Sequence, residues 1–163
     1  MAKLNFMDYT KVQSQVMTDK IAAVNGVSKF LYGACEYDQE SYHGITEGHY
    51  IVFVPEWAYY IDDNKVFGNK PAWEGVKGIV QTISDTKPIK LTPDLKTVEG
   101  HKKPLLVFEN EEEEKIYIDS ALHDNFKTAP SITYRGTTSK APIFLFSYDR
   151  LIGCILPVMI KGA

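Results

Sequence analysis

The sequence contains only two cysteines, Cys35 and Cys154, which are far apart in the chain. Both have apolar, strand-like neighbours, so we expect two buried free thiols rather than the disulfide framework of a small secreted protein. No apolar run approaches the ~20 residues that span a bilayer, and residues 1–6 lack the apolar core of a secretion signal. These absences predict a cytoplasmic protein.

The sequence also lacks the motifs that mark common enzyme classes. It contains no G-x-S-x-G nucleophile elbow, no G-x-x-x-x-G-K-[ST] phosphate loop and no G-x-G-x-x-G dinucleotide fingerprint. The net charge of −3 argues against a generally basic nucleic-acid-binding protein, although it leaves room for a local basic patch. We therefore expect a protein that binds other macromolecules, with no catalytic residues, no metal and no cofactor.

Periodic segments are present in the first part of the chain. Residues 9–24 have helical spacing of apolar side chains and precede Asn25-Gly26, a typical helix stop. Residues 30–37 and 42–55 are predicted strands, the second containing the β-branched and aromatic run Tyr50–Val54. Residues 57–61 are compatible with a further strand, and residues 62–64 with a turn.

The remaining chain divides into an irregular part and a regular part. Residues 62–103 are rich in glycine and proline, which predicts an irregular insertion with one short element between Val76 and Ser84. After them we predict a hairpin around the acidic residues 111–114, a short helix from Asp119 or Ser120 to Phe126, and strands at 132–135, 143–148 and 151–160. Helix followed by strands occurs twice. The sequence thus predicts one α+β domain over residues 1–163, with two helices packed on antiparallel sheets.

A few side chains invite chemical hypotheses. His43, Glu47 and His49 have the same parity and would share one face of a straight strand. The two histidines would then be about 20 Å apart at ~3.3 Å per residue, which is too far for one metal ion. Cys35 near His43 suggests a thiol nucleophile, but no motif supplies a third group. A small enzyme around these histidines remains an alternative to a binding protein.

Two charged stretches have competing interpretations. Residues 126–148 contain Lys127, Arg135 and Lys140 and no acidic residue, so these three are candidates for contacts with DNA phosphates. Ordinary loop residues kept for solubility are the alternative. Glu111–Glu114 is most simply a solvated hairpin tip, with a cation site as the other interpretation.

Two short segments resemble motifs of the bacterial sliding clamps, the beta subunits of the replicative DNA polymerase. Ile45-Thr46-Glu47-Gly48-His49-Tyr50 resembles their T-D-G-H-R segment, and Ile155-Leu156-Pro157-Val158-Met159-Ile160-Lys161 resembles their M-P-M-R-L ending. As in one clamp domain, the first motif follows the opening helix and two strands, and the second closes the final strand. Tyr50 stands where the family has arginine, Glu47 replaces aspartate, and the length is that of one domain instead of three.

The resemblance implies a DNA-clamp-like fold and a groove for short peptides of client proteins. The positions that match the family's peptide-binding motifs are Thr46, Gly48, His49, Tyr50, Leu156, Pro157 and Val158. The leading hypothesis is a sliding-clamp-like accessory or interaction protein of DNA replication, and the shortened form favours a phage or other mobile element as its source. A protein that assembles through tyrosine-rich strands is a further alternative.

The charge of the predicted helices bears on DNA binding and assembly. Lys11 and Lys20 in the first helix are offset by Asp8 and Asp19, and the second helix is similarly balanced. If a clamp-style ring formed, the two motifs would meet between identical chains, and closure would need about six copies. Because neutral helices do not suit a DNA-sized bore, we expect a monomer or small oligomer, with client peptides as partners and DNA phosphates as a secondary one.

Overall fold

The computed structural model describes residues 13–14, 16–17, 30–68, 71–127 and 129–160. The chain forms two compact units, Met1–Thr82 and Ile83–Ala163. Helices and antiparallel strands occur in both units, which confirms the predicted α+β class. Within the described ranges, no helix is long and apolar enough to cross a membrane.

The first unit contains an antiparallel meander of three strands, β1 (Leu31–Tyr37), β2 (Glu40–Thr46) and β3 (Tyr50–Pro55). β1 and β2 are joined by Asp38 and Gln39, whose φ angles of 50° and 65° match the two-residue turn that fits the twist of a hairpin. The predicted strands are confirmed. Of the predicted helix at residues 9–24, residues 13–14 and 16–17 are helical, and the others lie outside the described residues.

Short helices follow the meander. A 3-10 turn (Glu56–Ala58) precedes α1 (Asp63–Phe67) and α2 (Gly75–Gln81). Asp62 accepts a hydrogen bond from the Lys65 N–H at 3.3 Å, so it is the N-cap of α1. The predictions of a strand at residues 57–61 and a turn at 62–64 are therefore wrong, because this capping bond starts a helix there.

α2 lies over a pair of glycines in the meander. Gly33 of β1 and Gly44 of β2 are directly opposite each other in the register. A Cβ at Gly33 would collide with the Trp73 carbonyl oxygen, and a Cβ at Gly44 would lie 3.0 Å from a methyl of the fully buried Val76. The absence of side chains at both positions lets the helix approach the backbone of the strands.

The second unit has six strands among its described residues, in the order β9-β8-β7-β4-β5-β6. All adjacent strands are antiparallel. The bounds of the strands are β4 (Lys87–Lys96), β5 (Leu105–Glu109), β6 (Lys115–Asp119), β7 (Ile132–Gly136), β8 (Ile143–Ser147) and β9 (Arg150–Ile155). The two predicted hairpins are confirmed as β5–β6 and β8–β9.

β4 corrects the prediction that residues 62–103 are an irregular insertion. It is a strand of ten residues despite Pro88 and Pro93. Residues 87–89 pair with β7 and residues 90–96 with β5, and the second pairing is shifted between Leu91 and Leu95. Pro93 lies in this irregularity, where no ladder hydrogen bond is required of it. Together with α1 and α2, β4 makes much of the supposed insertion regular.

The predicted second helix is confirmed as α3 (Ser120–His123), which continues into a 3-10 turn (Asp124–Phe126). Asp119 is the N-cap, since its carboxylate accepts a hydrogen bond from the Ala121 N–H at 2.8 Å. At the other end, the fully buried Phe126 ring occupies the space where a side chain at Gly153 of β9 would lie. As in the first unit, a glycine in a strand leaves room for the side chain of a residue from a helical segment.

Both cysteines are buried and free, as the sequence predicted. Burial raises the pKa of Cys35 to about 12 and also raises that of Cys154. These thiols therefore remain protonated near neutral pH and behave as small core residues.

Candidate functional site

The two motifs that resemble the clamp family lie in different units. Thr46–Tyr50 connects β2 to β3 in the first unit, and Leu156–Val158 follows β9 in the second. Each segment has its own local geometry.

The connection between β2 and β3 is organised by a buried threonine. The Thr46 hydroxyl accepts a hydrogen bond from the Gly48 N–H at 2.9 Å and donates one to the Tyr50 carbonyl oxygen at 2.5 Å. Gly48 has a φ of 109°, a conformation that glycine adopts without strain. The turn thus has a defined shape, set by Thr46 and Gly48.

Only part of this segment is available to a ligand. Gly48 and His49 are exposed, whereas Thr46 and Tyr50 are buried. Burial, with the nearby charge of Glu47, raises the pKa of Tyr50, so its phenol stays neutral. Of the four predicted residues here, two can be touched from outside and two hold the turn in place.

The segment after β9 exposes apolar side chains. Leu156 is 41% and Met159 60% exposed, while Pro157 and Val158 are half-buried. The Val158 N–H donates a hydrogen bond to the Tyr117 carbonyl oxygen of β6 at 2.8 Å. This bond ties the segment, residues 156–160, to the last strand of the unit's sheet. Pro157 in this segment and His49 in the other are both accessible from outside to some degree.

The three candidates for DNA contact differ in their surroundings. Arg135 on β7 donates from Nε to the Thr86 hydroxyl at 3.0 Å and from a terminal nitrogen to the Thr86 carbonyl oxygen at 2.7 Å. Lys127 and Lys140 are exposed. Arg135 uses two of its hydrogen-bond donors within the unit, where they hold its side chain against Thr86, the residue before β4. Fewer of its donors are then available to bind a phosphate.

Cys35 and His43, two residues considered for an enzyme, have different partners in the β1–β2 register. Cys35 is opposite Tyr42 in the β1–β2 register, while His43 is opposite Ala34. Since neighbouring residues of a strand point to opposite faces, the Cys35 thiol and His43 imidazole lie on different faces of the meander. Within the described ranges, no three His, Cys, Asp or Glu side chains are placed to hold a metal ion.

His43 instead packs in an aromatic pair. Its ring lies flat on Tyr59, with centroids 3.7 Å apart and planes 4° from parallel. The Tyr59 hydroxyl donates to an Asp63 carboxylate oxygen at 2.5 Å. Desolvation lowers the pKa of His43, although the charges of Asp63 and Glu56 act in the opposite direction. The stack therefore favours a neutral imidazole.

The second unit contains another histidine–tyrosine pair. His123 Nε2 is 2.8 Å from the Tyr134 hydroxyl, and Phe108 meets the Tyr134 ring edge-on at 4.7 Å. Burial lowers the pKa of His123 and raises that of Tyr134 to about 12. Both groups are therefore neutral near pH 7, and the tautomer of His123 determines which of them donates the hydrogen bond. Sequence reasoning missed both pairs because each joins a strand residue to a residue outside the strands, and packing rather than spacing brings the two together.

Comparisons with protein-family models, with curated proteins and with solved structures found no match for this chain.

Proposed function

We propose that this protein is a clamp-like interaction protein of DNA replication that binds short peptide motifs of client proteins. The observation that carries the proposal is the layout shared by the two units. In the first, the helical residues 13–14 and 16–17 precede the β1–β2–β3 meander, and in the second, α3 precedes the β7–β8–β9 meander. The sequence resemblance implies a domain with two helices, and each unit contributes one of them.

The exposed apolar side chains support peptide binding. A few buried anchors dominate the affinity of most protein interfaces, and short peptides are held in the same way. Leu156 and Met159 present such anchors, and the hydrogen bond from Val158 to Tyr117 fixes the backbone between them. In this proposal Leu156, Pro157 and Val158 touch a peptide in the second unit, and Gly48 and His49 are the exposed candidates for contact in the first unit, where Thr46 and Tyr50 position the turn.

The proposal is tested with a fluorescein-labelled peptide that carries the clamp-binding motif of a replicative polymerase. We expect saturable binding at sub-millimolar concentrations, measured by fluorescence anisotropy. Replacing His49 and Pro157 together by alanine should weaken binding about five- to thirtyfold, which corresponds to the loss of about 1–2 kcal/mol of contact energy.

Leu95→Ser is the matched control, because Leu95 is also a strongly exposed leucine of the second unit but lies outside the resemblance. It should leave the dissociation constant unchanged. Absence of binding by the unaltered protein, or equal weakening by Leu95→Ser, would contradict the proposed function.

A further inference from the structure

The chain after β3 exposes two large aromatic side chains. Trp57 is 67% and Tyr60 49% exposed, in a stretch that we name the aromatic segment, residues 56–63. Large exposed aromatic rings are uncommon on a protein surface that has no partner, and they are enriched where proteins bind each other. Neither ring belongs to the motifs discussed above.

The aromatic segment is held in one conformation by side-chain hydrogen bonds. The fully buried Gln13 donates to the Ala58 carbonyl oxygen at 2.7 Å and accepts from the Tyr60 N–H at 2.6 Å. The Trp57 indole N–H donates to Glu40 at 3.0 Å. A surface that is ordered before binding loses less conformational entropy when a partner docks.

The sequence around the aromatic segment is mainly acidic, and the nearest lysines along the chain are Lys29 and Lys65. Between residues 30 and 64 the sequence contains no lysine or arginine. The same stretch contains seven carboxylates, namely Glu36, Asp38, Glu40, Glu47, Glu56, Asp62 and Asp63. Glu40 is bonded to the Trp57 ring itself, and Asp63 to Tyr59. The exposed Trp57 ring is therefore next to negative charge within its own unit.

We propose that the aromatic segment and its neighbouring carboxylates form a docking surface for a lysine- and arginine-rich segment of a partner protein. The face of a tryptophan ring attracts cations, and carboxylates at its edge add Coulomb attraction and hydrogen-bond acceptors for guanidinium groups. An anionic partner such as a nucleic acid or an acidic membrane would be repelled. None of these residues belongs to the peptide-binding candidates named above, so the proposal does not rest on the proposed function.

The second unit provides an internal comparison for this surface. Its acidic loop, Glu111–Glu114, has four carboxylates in four residues, against three in the eight residues of the aromatic segment, but no aromatic residue. Glu111 already forms a salt bridge to Lys87 at 3.7 Å, and Glu114 accepts a hydrogen bond from the Ser139 N–H at 3.2 Å. If a cationic peptide bound through charge attraction alone, it would prefer this loop. If binding also needs the aromatic rings, the peptide would prefer the first unit.

The test uses a short fluorescein-labelled peptide of alternating arginine and glycine and the full chain. We expect saturable anisotropy that weakens as sodium chloride is raised to about 0.5 M. Trp57→Ala should weaken binding about three- to tenfold, and Glu56→Gln with Asp62→Asn about two- to fivefold. The asparagine at position 62 retains the N-cap of α1. In a Trp73→Phe background, Trp57 is the sole tryptophan, and its fluorescence should change on binding.

Matched controls separate the proposal from nonspecific attraction. Tyr148→Gly removes another exposed aromatic ring at a position whose φ of 49° suits glycine, and it should leave affinity unchanged. Glu112→Gln with Glu113→Gln removes two exposed charges of the acidic loop and should also have no effect. Affinity lost equally in these controls, no response to Trp57→Ala, or equal binding of a glutamate–glycine peptide would overturn the proposal.

Discussion

In both units a helical segment packs over strand glycines, but the residue that fills the space differs. In the first unit, Val76 of α2 lies over the paired Gly33 and Gly44, and the backbone at Trp73 also approaches β1 closely. In the second unit, the ring of Phe126 lies over the single Gly153 of β9. The glycines of the first unit therefore face a backbone oxygen as well as aliphatic side chains, whereas Gly153 faces an aromatic ring.

This difference indicates which part of each contact is essential. An aromatic ring buries far more apolar surface than a valine, so the second unit depends on the side chain that is inserted. In the first unit, packing depends on the absence of a side chain at Gly33. The Trp73 N–H is bonded to the Tyr32 carbonyl oxygen at 2.7 Å. Because this bond holds the Trp73 backbone in place, its carbonyl oxygen cannot easily move away from an added Cβ. Substituting either the inserted side chain or the glycine that it faces should therefore have different effects in the two units.

The largest effect is expected from Phe126→Ala. Removing this fully buried ring leaves a cavity over Gly153 and should lower the free energy of unfolding by about 3–5 kcal/mol. Val76→Ala should cost about 2 kcal/mol, because only two methyl groups are lost. Urea unfolding followed by circular dichroism measures both values. Equal losses would show that the two contacts do not differ in the way we describe.

A smaller effect is expected from an added methyl group in the first unit. Gly33→Ala should destabilise the protein by about 1–3 kcal/mol, since its Cβ would meet a backbone oxygen. At Gly44 the nearest atoms are methyl groups at 3.0 and 3.1 Å, which can shift slightly, so Gly44→Ala should cost less. The midpoints of thermal unfolding rank the two variants, and a larger loss at Gly44 would refute the role given to the Trp73 backbone.

The smallest effect is a dependence of stability on pH. Desolvation lowers the folded-state pKa of both His43 and His123 below the ordinary 6.5. The unfolded chain therefore binds more protons as the pH falls through this range, and the free energy of unfolding should decrease below about pH 6.5. His43→Gln and His123→Gln should each reduce this decrease in urea titrations at several pH values. An unchanged pH dependence in both variants would remove the histidines as its source.

The regular elements were predictable where local signals agreed with each other. The helix predicted to start at Asp119 or Ser120 is capped by Asp119, and the strands predicted at 143–148 and 151–160 pair as β8 and β9. The prolines in β4 misled the prediction, because the strand tolerates Pro93 only through a change of partner and register that no local pattern reveals. The exposed positions of His49 and Leu156 agree with the predicted site, while the burial of Thr46 and Tyr50 was not foreseen.

The sequence by itself determined the α+β class, most strand positions and the two buried thiols, because alternation, turn residues and caps act over a few neighbours. Tertiary structure alone decided that Gly33 faces Gly44, that Arg135 is bound to Thr86, and that His43 packs on Tyr59. These contacts join residues that are 11 to 49 positions apart in the chain. They depend on strand register and on how distant segments of the chain pack together. Both are set by the free energy of the whole packed unit and not by any local preference.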